Sequence, residues 1–275
     1  MPPPSANQPL IYRLQTLVKH PQFVWWIGHL CVILCTSLYY LSFLTLSLES
    51  ARFYYYWVYR GAVLSYSVVV YKLYGFPRLD WDYFQRINRD ENVFYLALAV
   101  VWFFNPPIFV TPIPYATFSL FHLITYFRSF IIPAFVPAAA SSAVNSNSPA
   151  TGNAKTFINI SKGIQNWVLK NYEVAMRTVS FAEVVVITTS LLTYILIFKV
   201  RVFTLFLYLT FLRFRYHMNP YTKDAFSNVR QRLDVWLLPP TADSRIPPYV
   251  TKAYRHLKTA ITYFGQLQSQ QPSAR

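Results

Sequence analysis

The residues able to do chemistry are few and scattered. Cys31 and Cys35 lie four apart inside an apolar run, on one turn of one helix. Two thiols without a nearby His or acid make an incomplete metal shell, and their shared turn argues against a disulfide framework. They read as small lipid- or helix-facing side chains, the common habit of free cysteine. His29 and His122 sit deep in apolar stretches, while Arg60, Lys72, Glu183, Lys199 and Arg201 sit near the ends of such stretches. Ionisable groups in these places are the working parts of proton relays and coupled transporters. Yet no carboxylate lies deep in the first three apolar blocks, which weakens such a scheme. A small-molecule or ion transporter therefore stands as the alternative function. Nucleotide-binding loops, a Rossmann glycine pattern, an H-x-x-x-H zinc pair and a G-x-S-x-G elbow are all missing. The sequence points away from an enzyme, with no catalytic residue, cofactor or metal expected.

The elements that must carry these residues follow from composition. Of 275 residues, 54% are hydrophobic and only 13% charged, against roughly a quarter charged in a soluble domain. Lys and Arg outnumber Asp and Glu by 25 to 10. That excess suits anionic lipid, and the long apolar runs favour lipid over nucleic acid. Residues 1–22 read as a polar, Pro-rich start and a short interfacial helix ending before Pro21. Membrane hairpins are expected over 23–133, in blocks 23–48, 53–74 and 93–133. A bilayer core needs about 20 helical residues, so the first block spans it, and it is expected to remain as a signal anchor. Trp25 and Trp26 open it at aromatic-belt depth. The third block is broken by Pro106, Pro107, Pro112 and Pro114, which mark either a turn at the far interface or a re-entrant apex. A flexible linker is expected at 134–156. An amphipathic segment and a fourth block follow at 157–212, the latter a single tilted span or a hairpin bent at Lys199. The expected fold is all-α: a polytopic integral membrane protein of helical hairpins with cytoplasmic amphipathic helices.

Residues 213–275 form a basic tail with ten Lys or Arg against three Asp. Positive charge beside membrane helices favours the cytoplasmic side. Arg13 and Lys19 suggest the same for the N-terminus, so both ends are expected inside, most simply with four crossings. In the tail, Asn219 suits an N-cap and Pro220 a first helical position. Phe226, Val229, Leu233 and Trp236 then share a face. The later segment 249–264 carries the sharper pattern. Val250, Tyr254, Leu257, Ile261 and Phe264 share one face at helical spacing, while Lys252, Arg255 and Lys258 spread over the rest. This is the expected membrane-binding helix, lying in the interface on anionic lipid. The competing reading packs it on the protein's own cytoplasmic side.

Four collinear stretches then resemble one family. They are Ser50-Ala51-Arg52-Phe53-Tyr54 with Tyr59-Arg60, Asp90-Glu91-Asn92-Val93-Phe94-Tyr95, the run from Phe118 to Tyr126, and the run from Phe211 to Tyr221. Together they are similar to the transmembrane-protein-33 family, whose fungal members are pore-membrane nucleoporins and tetra-spanning endoplasmic-reticulum proteins. The resemblance implies residence in the endoplasmic reticulum membrane and nuclear envelope. It implies membrane shaping and support of nuclear pore complex assembly or distribution. It also implies partners among reticulon-type shaping proteins, nucleoporins and nuclear transport receptors, and no catalytic residues.

Overall fold

The computed structural model describes residues 8–136, 153–243 and 245–266, apart from the side chains of 153, 154, 261, 262 and 264–266. Most of the expected linker and the first seven residues lie outside that range. The described chain is helical throughout, in two units: one ends at Thr222 and the other begins at Lys223.

In the first unit, α1 (Leu10–Lys19) gives way at His20 to α2 (Pro21–Leu44). Proline at the first helical position needs no donor, and His20 Nδ1 accepts from the Gln22 amide at 3.2 Å. A short turn through Leu46 leads to α3 (Leu48–Tyr74), which packs along the whole of α2. Gly28 and Gly61 allow this closeness. A Cβ on Gly61 would sit 2.8 Å from the Gly28 carbonyl, and one on Gly28 would run into Ser65 Oγ. Ser65 Oγ also donates to the Trp25 carbonyl at 2.9 Å across the same crossing. Small residues and a polar tie are how helices associate where lipid removes the hydrophobic drive between them.

Next come α4 (Trp81–Ile87) and α5 (Glu91–Phe104), N-capped by Asp80 and Asp90 respectively. The prolines then act as a turn: α5 stops at Phe104, and α6 runs Pro112–Phe135 with a π segment at Phe127–Ile131. Helix α7 begins as Asn153–Phe181, passes through a π segment at Ala182–Ile187 and ends as Thr188–Leu196. A tight turn with Phe198 at φ 56° reverses the chain into α8 (Val202–Met218). Fourth-block residues on either side of Lys199 thus lie in two different helices.

Among the described residues, three helical stretches are long and apolar enough to cross a bilayer: Pro21–Leu44, Pro112–Phe135 and Lys155–Leu196. The last has 42 residues, or about 60 Å at 1.5 Å each, twice the thickness of a hydrocarbon core. Its first half is studded with charge, whereas from Thr178 to Phe198 the lone formal charge is Glu183. The second half is therefore the part suited to the bilayer.

Candidate functional site

The second unit holds the basic helices. Helix α9 (Pro220–Leu237) is capped by Asn219, whose Oδ1 accepts from the Tyr221 and Thr222 amides at 3.0 and 3.2 Å. Helix α10 (Pro248–Gln266) folds back on it. Lys258 Nζ meets both Asp234 oxygens at 2.7 and 2.8 Å, and Tyr254 OH donates to the same carboxylate at 2.7 Å. Thr251 Oγ1 donates to the Leu237 carbonyl at 3.0 Å. Lys258 first, then Tyr254, hold the Asp234 carboxyl below its ordinary range. Partial burial, and then Asp234 itself, push the Tyr254 phenol up to about 12.

This hairpin divides the face read from sequence. Val250, Tyr254 and Lys258 are half-buried. Lys252, Arg255 and Leu257 stay exposed, Leu257 at 58% and its stripe-mate Tyr249 at 73%. Ile261 and Phe264 belong to α10, but their side chains lie outside the described residues. What remains outward is a narrower apolar stripe of Tyr249, Ala253, Leu257 and Ala260 with Lys252 and Arg255 beside it. Such a helix can lie on anionic lipid while its other edge stays packed on α9.

The first unit encloses a polar centre that sequence reasoning did not assemble. Glu183 and Arg215 are each 1% exposed and paired, with Nη2 and Nε at 3.1 and 3.2 Å from Oε2. Arg215 Nη1 also reaches Glu91 Oε1 at 3.0 Å. Tyr95 OH donates to Glu183 Oε1 at 2.5 Å, and its ring lies 5.4 Å from the guanidinium carbon. The π segment leaves the Glu183 carbonyl to accept from Tyr208 OH at 2.7 Å and Thr188 Oγ1 at 3.2 Å. Tyr115 OH donates to the Tyr95 carbonyl, and Tyr66 stacks on the Tyr95 ring. Helices α3, α5, α6, α7 and α8 thus converge on one carboxylate. Charged groups survive in such a place only when paired and fully hydrogen-bonded.

Arg215 counts with the basic tail by sequence, but the structure buries it inside α8. The missed signal was periodic: Thr204, Tyr208, Phe211 and Arg215 all lie buried on one stripe. The other ionisable residues separate. His29 Nδ1 lies 2.8 Å from Ser119 Oγ, with the His122 ring 4.7 Å away, between α2 and α6. Arg60 lies over the rings of Trp57 and Phe103. Lys199 and Arg201 are exposed at the α7–α8 turn, and Lys72 is exposed near the end of α3. Cys31 Sγ lies 3.8 Å from Cys35 Sγ and 3.6 Å from the Trp57 carbonyl, facing α3. Among the described residues, no three His, Cys, Asp or Glu stand close enough to hold a metal ion.

Apolar helices of bilayer length, a glycine-tight helical pair and a saturated polar centre define an all-α polytopic membrane protein. The chain belongs to the transmembrane protein 33/nucleoporin POM33 family, whose pattern matches residues 4–265. It is 34% identical to nucleoporin POM33 of Chaetomium thermophilum, covering 96% of this chain and 92% of that one. Tetra-spanning protein 1 of Schizosaccharomyces pombe is 28% identical, over 96% of this chain and 91% of its own. Pore membrane protein of 33 kDa from Saccharomyces cerevisiae is 27% identical, over 94% and 88%. No solved structure matches.

Proposed function

We propose that this protein resides in the endoplasmic reticulum membrane and nuclear envelope, where it shapes or senses membrane curvature and supports nuclear pore complex assembly or distribution. Near-full-length similarity to relatives named as nucleoporin and pore membrane protein supports the pore assignment. The observation that carries the mechanism is the outward stripe of α10, in which Tyr249 and Leu257 stand exposed beside Lys252 and Arg255. A helix of this kind inserts its apolar edge between headgroups and its cations pair with anionic lipid. Insertion from one side only widens that leaflet, and it proceeds best where curvature has already loosened the lipid packing. Both termini face the cytoplasm in this reading. The tail is then available to nuclear transport receptors, and the hairpins to reticulon-type proteins and nucleoporins. The chain acts without catalysis.

Live imaging of the endogenously tagged protein beside a pore marker and a reticulum marker tests this reading. Signal on the reticulum and nuclear rim, partly coincident with pores and altered by removing residues 239–275, is the expected result. Signal confined to another membrane refutes the reading and favours the transporter.

A further inference from the structure

Among the described residues, Arg13 is a buried cation without a carboxylate partner. It lies one turn before Leu17 on the same face of α1, and only 9% of it is exposed. Its Nε and Nη1 are buried with no hydrogen-bond partner among the described residues, and so is the hydroxyl of Tyr126. Leu17 and Tyr126 belong to one cluster, where α1 packs on the start of α2 and the last turns of α6. Trp25, Trp26, Phe130 and Ile131 close around it, and Tyr126 stacks on Trp26. A guanidinium in such surroundings requires a compensating anion.

The helices that meet there have no carboxylate to offer. Residues 1–48 and 92–172 contain neither Asp nor Glu, and these stretches include all of α1, α2 and α6. With none among the described residues, the anion is sought outside the chain. The setting says which kind. Leu10, Ile11 and Val18 of α1 are exposed apolar residues, and the neighbouring tryptophans stand at the entry of an apolar helix, where headgroups lie. Phosphate accepts several bonds from a guanidinium and one from a phenol, a match a planar donor fork makes well.

We propose that Arg13 and Tyr126 hold the phosphate of one membrane glycerophospholipid, pinning α1 against the end of α6. The bound lipid is thereby a structural ligand, separate from whatever α10 touches, and the proposal does not rest on the curvature reading.

The test uses the full chain in detergent, with native mass spectrometry counting bound lipid and thermal melting reporting protection. Three probes are compared: phosphatidylserine, diacylglycerol with the same chains, and inorganic phosphate. Phosphatidylserine is expected to stay bound and raise the melting temperature, and the other two are not. Arg13→Gln should weaken that binding at least about tenfold, the value of one charge-assisted bond, and Tyr126→Phe by less. In lipid-free detergent Arg13→Gln should melt no lower than wild type, because removing an uncompensated buried charge offsets the packing lost with the longer stem. The Lys252→Gln/Arg255→Gln chain should keep this lipid, which separates the site from α10. Undiminished binding by Arg13→Gln overturns the proposal. Equal protection by diacylglycerol overturns the role of phosphate, and equal protection by inorganic phosphate overturns the lipid. A lower melting point of lipid-free Arg13→Gln would assign Arg13 to ordinary packing instead.

Discussion

Arg215→Met tests whether the polar centre holds the helices together. The substitution removes both bonds to Glu183 Oε2 and the bond to Glu91. Glu91 is 38% exposed and recovers water, so its loss is small. Glu183 is 1% exposed and, among the described residues, keeps only the Tyr95 hydroxyl on its carboxylate, so almost the whole cost falls there. Stranding one member of a buried pair costs about 3–5 kcal/mol. That is a large share of a typical margin of about 5–15 kcal/mol. At roughly 2–4 °C per kcal/mol for a chain of this size, melting should fall by about 10 °C. The double variant Glu183→Leu/Arg215→Met leaves no charge stranded and should recover most of that loss, because apolar replacement of both partners is often neutral. Melting of the three chains in one detergent, followed by tryptophan fluorescence, decides the matter. A single variant within about 2 °C of wild type refutes the reasoning, as does a double variant no better than the single.

The remaining predictions concern the helical pair and the tail. Gly28→Leu should prevent α2 and α3 from closing, since its side chain meets Ser65 and the Gly61 carbonyl. The cost should exceed the roughly 1–3 kcal/mol of ordinary overpacking, and loss of monodisperse protein on size exclusion is the check. Asp234→Asn should open the α9–α10 contact and speed amide exchange along α10 at neutral pH. The Asp234 carboxyl is held below its ordinary range, so its stabilisation is complete at neutral pH and is lost as pH falls through the lowered value. Wild-type α10 should therefore loosen only below about pH 4, while the variant is loose at every pH. Lys252→Gln/Arg255→Gln should remove about 1 kcal/mol of attraction per charge, so protection of α10 by phosphatidylserine nanodiscs should fall roughly 30-fold. High salt should erase the difference between the two chains, as exposed charges are screened.

The elements of this protein are written locally. Charge-free runs of bilayer length, a proline cluster that stops α5, and Asn219-Pro220 at the start of α9 each act through residues within a turn or two. That range is the reach of backbone hydrogen bonding and helical periodicity. The membrane class and the amphipathic character of α10 were legible for the same reason. The pairing of charges was not. Arg215 lies 32 residues from Glu183 and 124 from Glu91, and nothing near it in the chain says which helix it will meet. Likewise Tyr254 and Lys258 fit the amphipathic pattern of α10, yet packing turns them onto Asp234 of α9 and leaves Tyr249 and Leu257 outside. Arg13 reads as one more positive charge near a terminus until α1 docks and closes water off from it. In each case a side chain's partner and exposure depend on the groups packed around it, and only the packing of distant helices supplies those.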